Sequence, residues 1–118
     1  MNEQNFDQLI EFEIKRALLA RSNGNEGQAR FYARRAAGNA IRKFFLQKNL
    51  PFNNKSAYEL LLSYINQPDI PSKTRQNAEN LTMRVSESFQ LPINVDLIEE
   101  ARSLCAHLSN LWSTNSPP

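Results

Sequence analysis

The cations of QARFYARRAAGNAIRKFF, residues 28–45, are the most concentrated chemistry in the chain. Arg30, Arg34, Arg35, Arg42 and Lys43 stand there among alanines and aromatics. A guanidinium is a planar fork of donors that meets a phosphate or a carboxylate through two parallel bonds. At 100° per residue, Arg35 and Arg42 share one side of a helix with Lys43 further round, whereas Arg30 and Arg34 fall beside the apolar stripe, one turn apart. An arginine at a core edge needs an acceptor, because burying its charge unpaired is costly. Two kinds of acceptor fit. One is a carboxylate of another helix, such as Glu11, Glu59 or Glu99. The other is the phosphate of a nucleotide or an RNA, with Phe31 and Tyr32 placed to stack on a base. The charge is local: from Gly27 to Tyr58 there are seven Lys or Arg and no acid, so a net charge of +2 leaves −5 on the rest.

The remaining chemistry is sparse. Cys105 is the only cysteine and His107 the only histidine. No internal disulfide can form, which favours a reducing compartment, and a structural zinc site needs about four N or S ligands. No metal and no cofactor is therefore expected. There is no Gly-rich phosphate loop, no recognisable pair of catalytic carboxylates and no Ser-His-Asp arrangement in one segment. Glu11, Glu13, Glu99 and Glu100 read as solvated helix faces. The start, MNEQNFDQLIEFE, lacks the basic residues and apolar run of a signal peptide, and no apolar run approaches the roughly 20 residues of a membrane span. The expectation is a cytoplasmic protein with no membrane contact.

The elements that must position these residues are helical. In the first, Phe6, Leu9, Ile10, Ile14, Ala17 and Leu18 recur at three- and four-residue steps. Gly24 ends it, and Asn25 with Gln28 resembles a capping box for the second helix, which runs to about Lys48. Ala33, Ala36, Ala37, Ala40, Ile41 and Phe44 form the core side of that helix. Ser56 with Glu59 caps a third, with Ala57, Leu60, Leu61, Tyr64 and Ile65 inward, closed by Pro68 and Pro71. A polar fourth helix starts near Ser72 with Ala78, Leu81, Val85 and Phe89 as its stripe. The last follows Pro92, capped by Asp96, and buries Leu97, Ile98, Ala101, Leu104, Cys105, Leu108, Leu111 and Trp112. Trp112 seals the bundle end or a dimer contact, and Tyr58 and Leu62, off the core face, hint at a subunit contact. At 118 residues the chain reads as one all-α domain of about five helices over residues 1–113, with a disordered tail at 114–118.

The order of these helices, with ARFYARRAAGNAIRKFF, KSAYELLLSYI and DLIEEARSLCAHLSNLW in sequence, resembles the HEPN domain, a nucleotide-binding helical module, over about residues 6–112. Lys55-Ser56-Ala57 stands where that family has His-Asp/Ser-Leu. The resemblance implies an up-and-down helical core, a homodimer, and a binding module for a nucleotide, an RNA or a protein, such as a nucleotidyltransferase-type partner in a toxin–antitoxin-like pair. Arg30, Arg34, Arg35 and Arg42 are its candidate ligand-binding residues. A second implication is a metal-independent ribonuclease of the toxin type. Arg102 and His107 match its Arg-x4–6-His spacing, the Arg stabilising the scissile phosphate and the His moving the 2′-hydroxyl proton. On an ideal helix those two differ by about 140°, so a kink or a second subunit must bring them together. A third reading is a structural protein-interaction domain whose charges only keep it soluble.

Overall fold

The computed structural model describes residues 3–83 and 95–114, with side chains over 6–83 and 95–109. Five helices occupy them: α1 (Glu3–Ser22), α2 (Glu26–Gln47), α3 (Ala57–Ile65), α4 (Ser72–Leu81) and α5 (Leu97–Thr114). No described residue is in a strand, and the architecture is the all-α bundle that the periodicity predicts. The predicted core positions Val85 and Phe89, the side chains of Leu111 and Trp112, and the tail from residue 115 lie outside the described residues.

The helix ends form where the local chemistry places them. Gly24 takes φ 78° after α1, the left-handed region that an L side chain enters only with strain. Asn25 accepts from the Gln28 N–H at the start of α2. Ser56 and Glu59 form a complete capping box on α3. Asp96 accepts from the Ile98 and Glu99 N–H groups and so starts α5. Two arginines close helix ends elsewhere in the fold. Arg75 donates to the Ile65 and Gln67 carbonyls at the end of α3, and Arg34 reaches the end of α4.

The central element is α2, which packs against α1, α3 and α5. Ala33, Ala36, Ala37 and Ala40 are fully buried on it, and their small side chains let three neighbouring backbones come close. Leu60, Leu61, Tyr64, Leu97, Ile98, Leu104 and Leu108 fill the remaining core at zero to 1% exposure. Burying one such large apolar side chain contributes about 1.5–3 kcal/mol.

Three expectations are corrected. Leu18 faces outward at 38% exposure, and the inward row of α1 is Phe6, Ile10, Glu13, Ala17 and Ala20. Glu13, read as a solvated acid, is buried at 2%, because the 4-3-4-3 step of that row passes through it. Glu100, also read as solvated, accepts from Asn77 Nδ2 and Asn80 Nδ2, each at 2.9 Å. Both asparagines are buried on α4, so the polar stripe of that helix is a hydrogen-bonded seam against α5. Its position there reflects the rule that buried polar groups require partners.

Candidate anion-binding cleft

Phe31, Arg35, Gly38 and Arg42 recur at steps of four, three and four, which places them on one face of α2. The start of α3 lies across that face. Gly38 makes the approach possible, since a Cβ there would sit 2.9 Å from Ala57 Cβ and 3.1 Å from Ala57 Cα. Between the two helices a cleft of about 360 Å³ opens, lined by Phe31, Arg34, Arg35, Asn39, Arg42, Ser56, Ala57 and Tyr58. Three guanidinium groups, two aromatic rings and the first turn of a nine-residue helix thus share one concavity. Among the described residues no carboxylate lines it.

Each arginine is held differently. Arg42 donates from Nη1 to Asn39 Oδ1 at 2.8 Å and from Nη2 to the Lys55 carbonyl at 3.0 Å. Both acceptors are neutral, so the guanidinium is fixed in place with its charge uncompensated. Burial lowers its pKa, and the nearby Arg35 charge lowers it further, the signature of two cations facing one space. Arg35 is half exposed, with Nε 3.3 Å from Glu13 Oε2. Arg34 lies at the cleft wall, with Nε donating to the Leu81 carbonyl and Nη2 to the Met83 carbonyl, each at 2.7 Å. Two acceptors of this core-edge guanidinium are thus carbonyls at the negative end of a helix. Arg30 is half-buried outside the cleft, and its charge acts on Glu26.

The α3 terminus adds partial positive charge. Its capping box uses the Ser56 and Glu59 N–H groups, and the Ala57 amide belongs to the first turn, whose N–H groups have no intrahelical acceptor. Glu59, the acid nearest the terminus, turns back onto Ser56. Those hydrogen bonds, first from the Ser56 N–H and then from its hydroxyl, hold the Glu59 carboxyl below its usual range. Chemically the cleft can bind an anion between a guanidinium pair and a helix N-terminus, with rings beside it for stacking.

Arg102 and His107 both lie on α5, which runs helical through them without interruption. Arg102 is exposed, 3.3 Å from Glu99 Oε1. It lines a separate groove of about 470 Å³ between α1 and α5, with Asp7, Ile10, Glu11, Ile14, Cys105, Ala106 and Ser109. His107 is half-buried and is not part of that groove. The two therefore do not line one groove. Cys105 is buried, its Sγ 3.7 Å from the Ala36 carbonyl, and burial pushes its thiol up to about 12.

Asn39, Ser56, Ala57 and Tyr58 escaped the sequence reading as cleft residues. The capping box located the start of α3 but not its neighbour. The signal that could have found it is Gly38, a glycine in the middle of an alanine-rich helix, where a packing reason is to be looked for. Among the described residues no helix is long and apolar enough to cross a membrane, and no group of three or more His, Cys, Asp or Glu converges as a metal site. Scans against protein-family models, curated proteins and solved structures give no match.

Proposed function

We propose that this chain is a binding module for a phosphate-bearing ligand, a nucleotide or RNA, held in the cleft between α2 and the start of α3. The observation that carries the reading is the Arg35–Arg42 pair lining a cavity with no carboxylate among the described residues, beside the N-terminus of α3. Arg35 is paired from beneath by Glu13, whereas Arg42, with two neutral acceptors and the Arg35 charge nearby, gains most from an anion in the cleft. Arg42 is the principal phosphate ligand, because neutral groups already orient its fork. Arg35 adds charge, and the Ala57 amide supplies a further donor. A HEPN-like homodimer is the assembly that the sequence resemblance implies for such a module.

The test is the affinity for a fluorescein-labelled ten-nucleotide oligouridine, measured by anisotropy at several salt concentrations. Affinity falls with salt, since each neutralised phosphate releases counterions. Arg42→Gln, which removes the charge and leaves a polar amide in its place, lowers affinity at least tenfold while the thermal unfolding transition is retained. Equal affinity of Arg42→Gln and the parent at low salt would sink this reading.

A further inference from the structure

Beyond the cleft, aromatic rings and guanidinium groups alternate across α1 and α2. On α1 the Arg16 guanidinium carbon lies 5.2 Å from the Phe12 ring centroid. The same carbon lies 4.3 Å from the Tyr32 ring on α2, and Arg16 Nη2 donates to the Tyr32 hydroxyl at 2.8 Å. Tyr32 meets Phe31 edge-on at 5.4 Å, and Arg35 lies 5.6 Å from the Phe31 centroid. Phe31 and Arg35 also line the cleft. The series Phe12–Arg16–Tyr32–Phe31–Arg35 is therefore one continuous surface that leads into the site.

Two features distinguish this surface from a packing seam. Phe12 is 54% and Phe31 52% exposed, so each ring, beside its arginine, still presents apolar area that a stacked base could cover. The arginines are also held from beneath. Buried Glu13 lies 3.3 Å from Arg35 Nε and 4.0 Å from Arg16 Nη1, and its Oε2 makes no hydrogen bond. One inward carboxylate thus anchors two outward guanidinium groups between rings, leaving Arg42 as additional positive charge at the cleft end.

We propose that this surface is a stacking track for single-stranded nucleic acid, which passes from the cleft over Phe31 and Tyr32 to Phe12. The inference rests on the phosphate-binding reading of the cleft and names its ligand as an extended, unpaired strand rather than a lone nucleotide. Alternating rings and cations suit such a strand: bases stack on the rings whatever their identity, while the cations follow the backbone. A duplex does not fit, because its bases already stack on one another. The track therefore has little sequence preference. With Arg16, Arg35 and Arg42 at the backbone, log affinity changes with log salt by about −2, at roughly −0.7 per neutralised phosphate of a single strand.

Phe12→Ala separates this inference from the reading beneath it, since Phe12 is outside the cleft. Its ring is mostly exposed, so circular dichroism and the unfolding midpoint stay close to those of the parent. The variant binds the ten-nucleotide oligouridine about 5- to 100-fold more weakly, Phe12→Tyr restores binding, and a ten-base-pair RNA duplex binds more weakly than the single strand. If Phe12→Ala binds as the parent does while Arg42→Gln is impaired, the cleft reading stands and the track is overturned. If both variants bind like the parent, both readings fall. Should Phe12→Ala change the sedimentation coefficient without changing oligouridine affinity, the surface is a subunit contact and the track is equally overturned.

Discussion

Gly38→Ala pits helix propensity against packing at the point that shapes the cleft. Position 38 is in the interior of α2, where alanine is favoured over glycine by about 0.8–1.0 kcal/mol. On propensity alone the substitution stabilises. The added Cβ, however, would sit 2.9 Å from Ala57 Cβ and 3.1 Å from Ala57 Cα, closer than carbon atoms tolerate. Ala57 opens α3, so relief requires the whole first turn to move off α2. Overpacking of this sort costs about 1–3 kcal/mol. The packing cost exceeds the propensity gain by about 1 kcal/mol, which in a chain of this length lowers the unfolding midpoint by roughly 3–6 °C. Ala57→Gly removes one of the two colliding atoms, so the double variant recovers more than the sum of the single changes. Urea unfolding followed by circular dichroism on the four proteins reads the coupling. An increase in stability for Gly38→Ala alone would refute the close-contact account, because it would mean that α3 yields without cost.

Three other outcomes follow from particular contacts. Arg34→Met removes both donors to the Leu81 and Met83 carbonyls and lowers stability by about 1.5–3 kcal/mol in urea titration; Arg34→Lys restores less than half, since an ammonium does not present the same fork. The Arg21 cluster makes stability fall in acid. Glu26 is held low first by its hydrogen bonds from Arg21; burial raises the Asp96 carboxyl, but Arg21 and the Glu99 and Ile98 amides more than offset it. A carboxylate lowered on folding stabilises above its unfolded pKa and loses that contribution as pH falls through the folded value. The loss therefore begins below about pH 4.5, and Arg21→Gln flattens it by less than about 1 kcal/mol, because these side chains are partly solvated. Cys105, with its thiol pushed up to about 12 by burial, stays unmodified by a thiol-disulfide reagent at pH 8 in the native protein and reacts fully in urea, as thiol titration will show.

The helices were legible because their signals are local. Ser56 with Glu59, Asp96 before α5 and Gly24 after α1 each mark an end through contacts two to four residues long. The alanine face of α2 was legible for the same reason. Contacts made at long range were not. Arg34 finds its carbonyls 47 and 49 residues onward, and nothing in the local pattern distinguishes those acceptors from a carboxylate. Glu13 was misplaced because its residue type argued for solvent while its position in the row Phe6, Ile10, Glu13, Ala17 and Ala20 argued for the core. Its partner Arg35 belongs to another helix, so only the packing of α1 on α2 decides between them. The face shared by Phe31, Arg35 and Arg42 was readable from spacing, but the start of α3 that completes the cleft was not. Phe12 and Arg16 were missed altogether, because an aromatic and a cation one turn apart on α1 carry no meaning until Tyr32 lies beside them.

The central claim is that the cleft between α2 and α3 receives a phosphate. The most direct measurement is an amide and arginine Nε chemical-shift titration of the full chain with uridine monophosphate. The account predicts saturable shifts at the Ala57 amide and at Arg42 Nε, and loss of the Ala57 shift in Arg42→Gln. Shifts confined to the α1–α5 groove around Arg102, or no shifts at millimolar nucleotide, would contradict it.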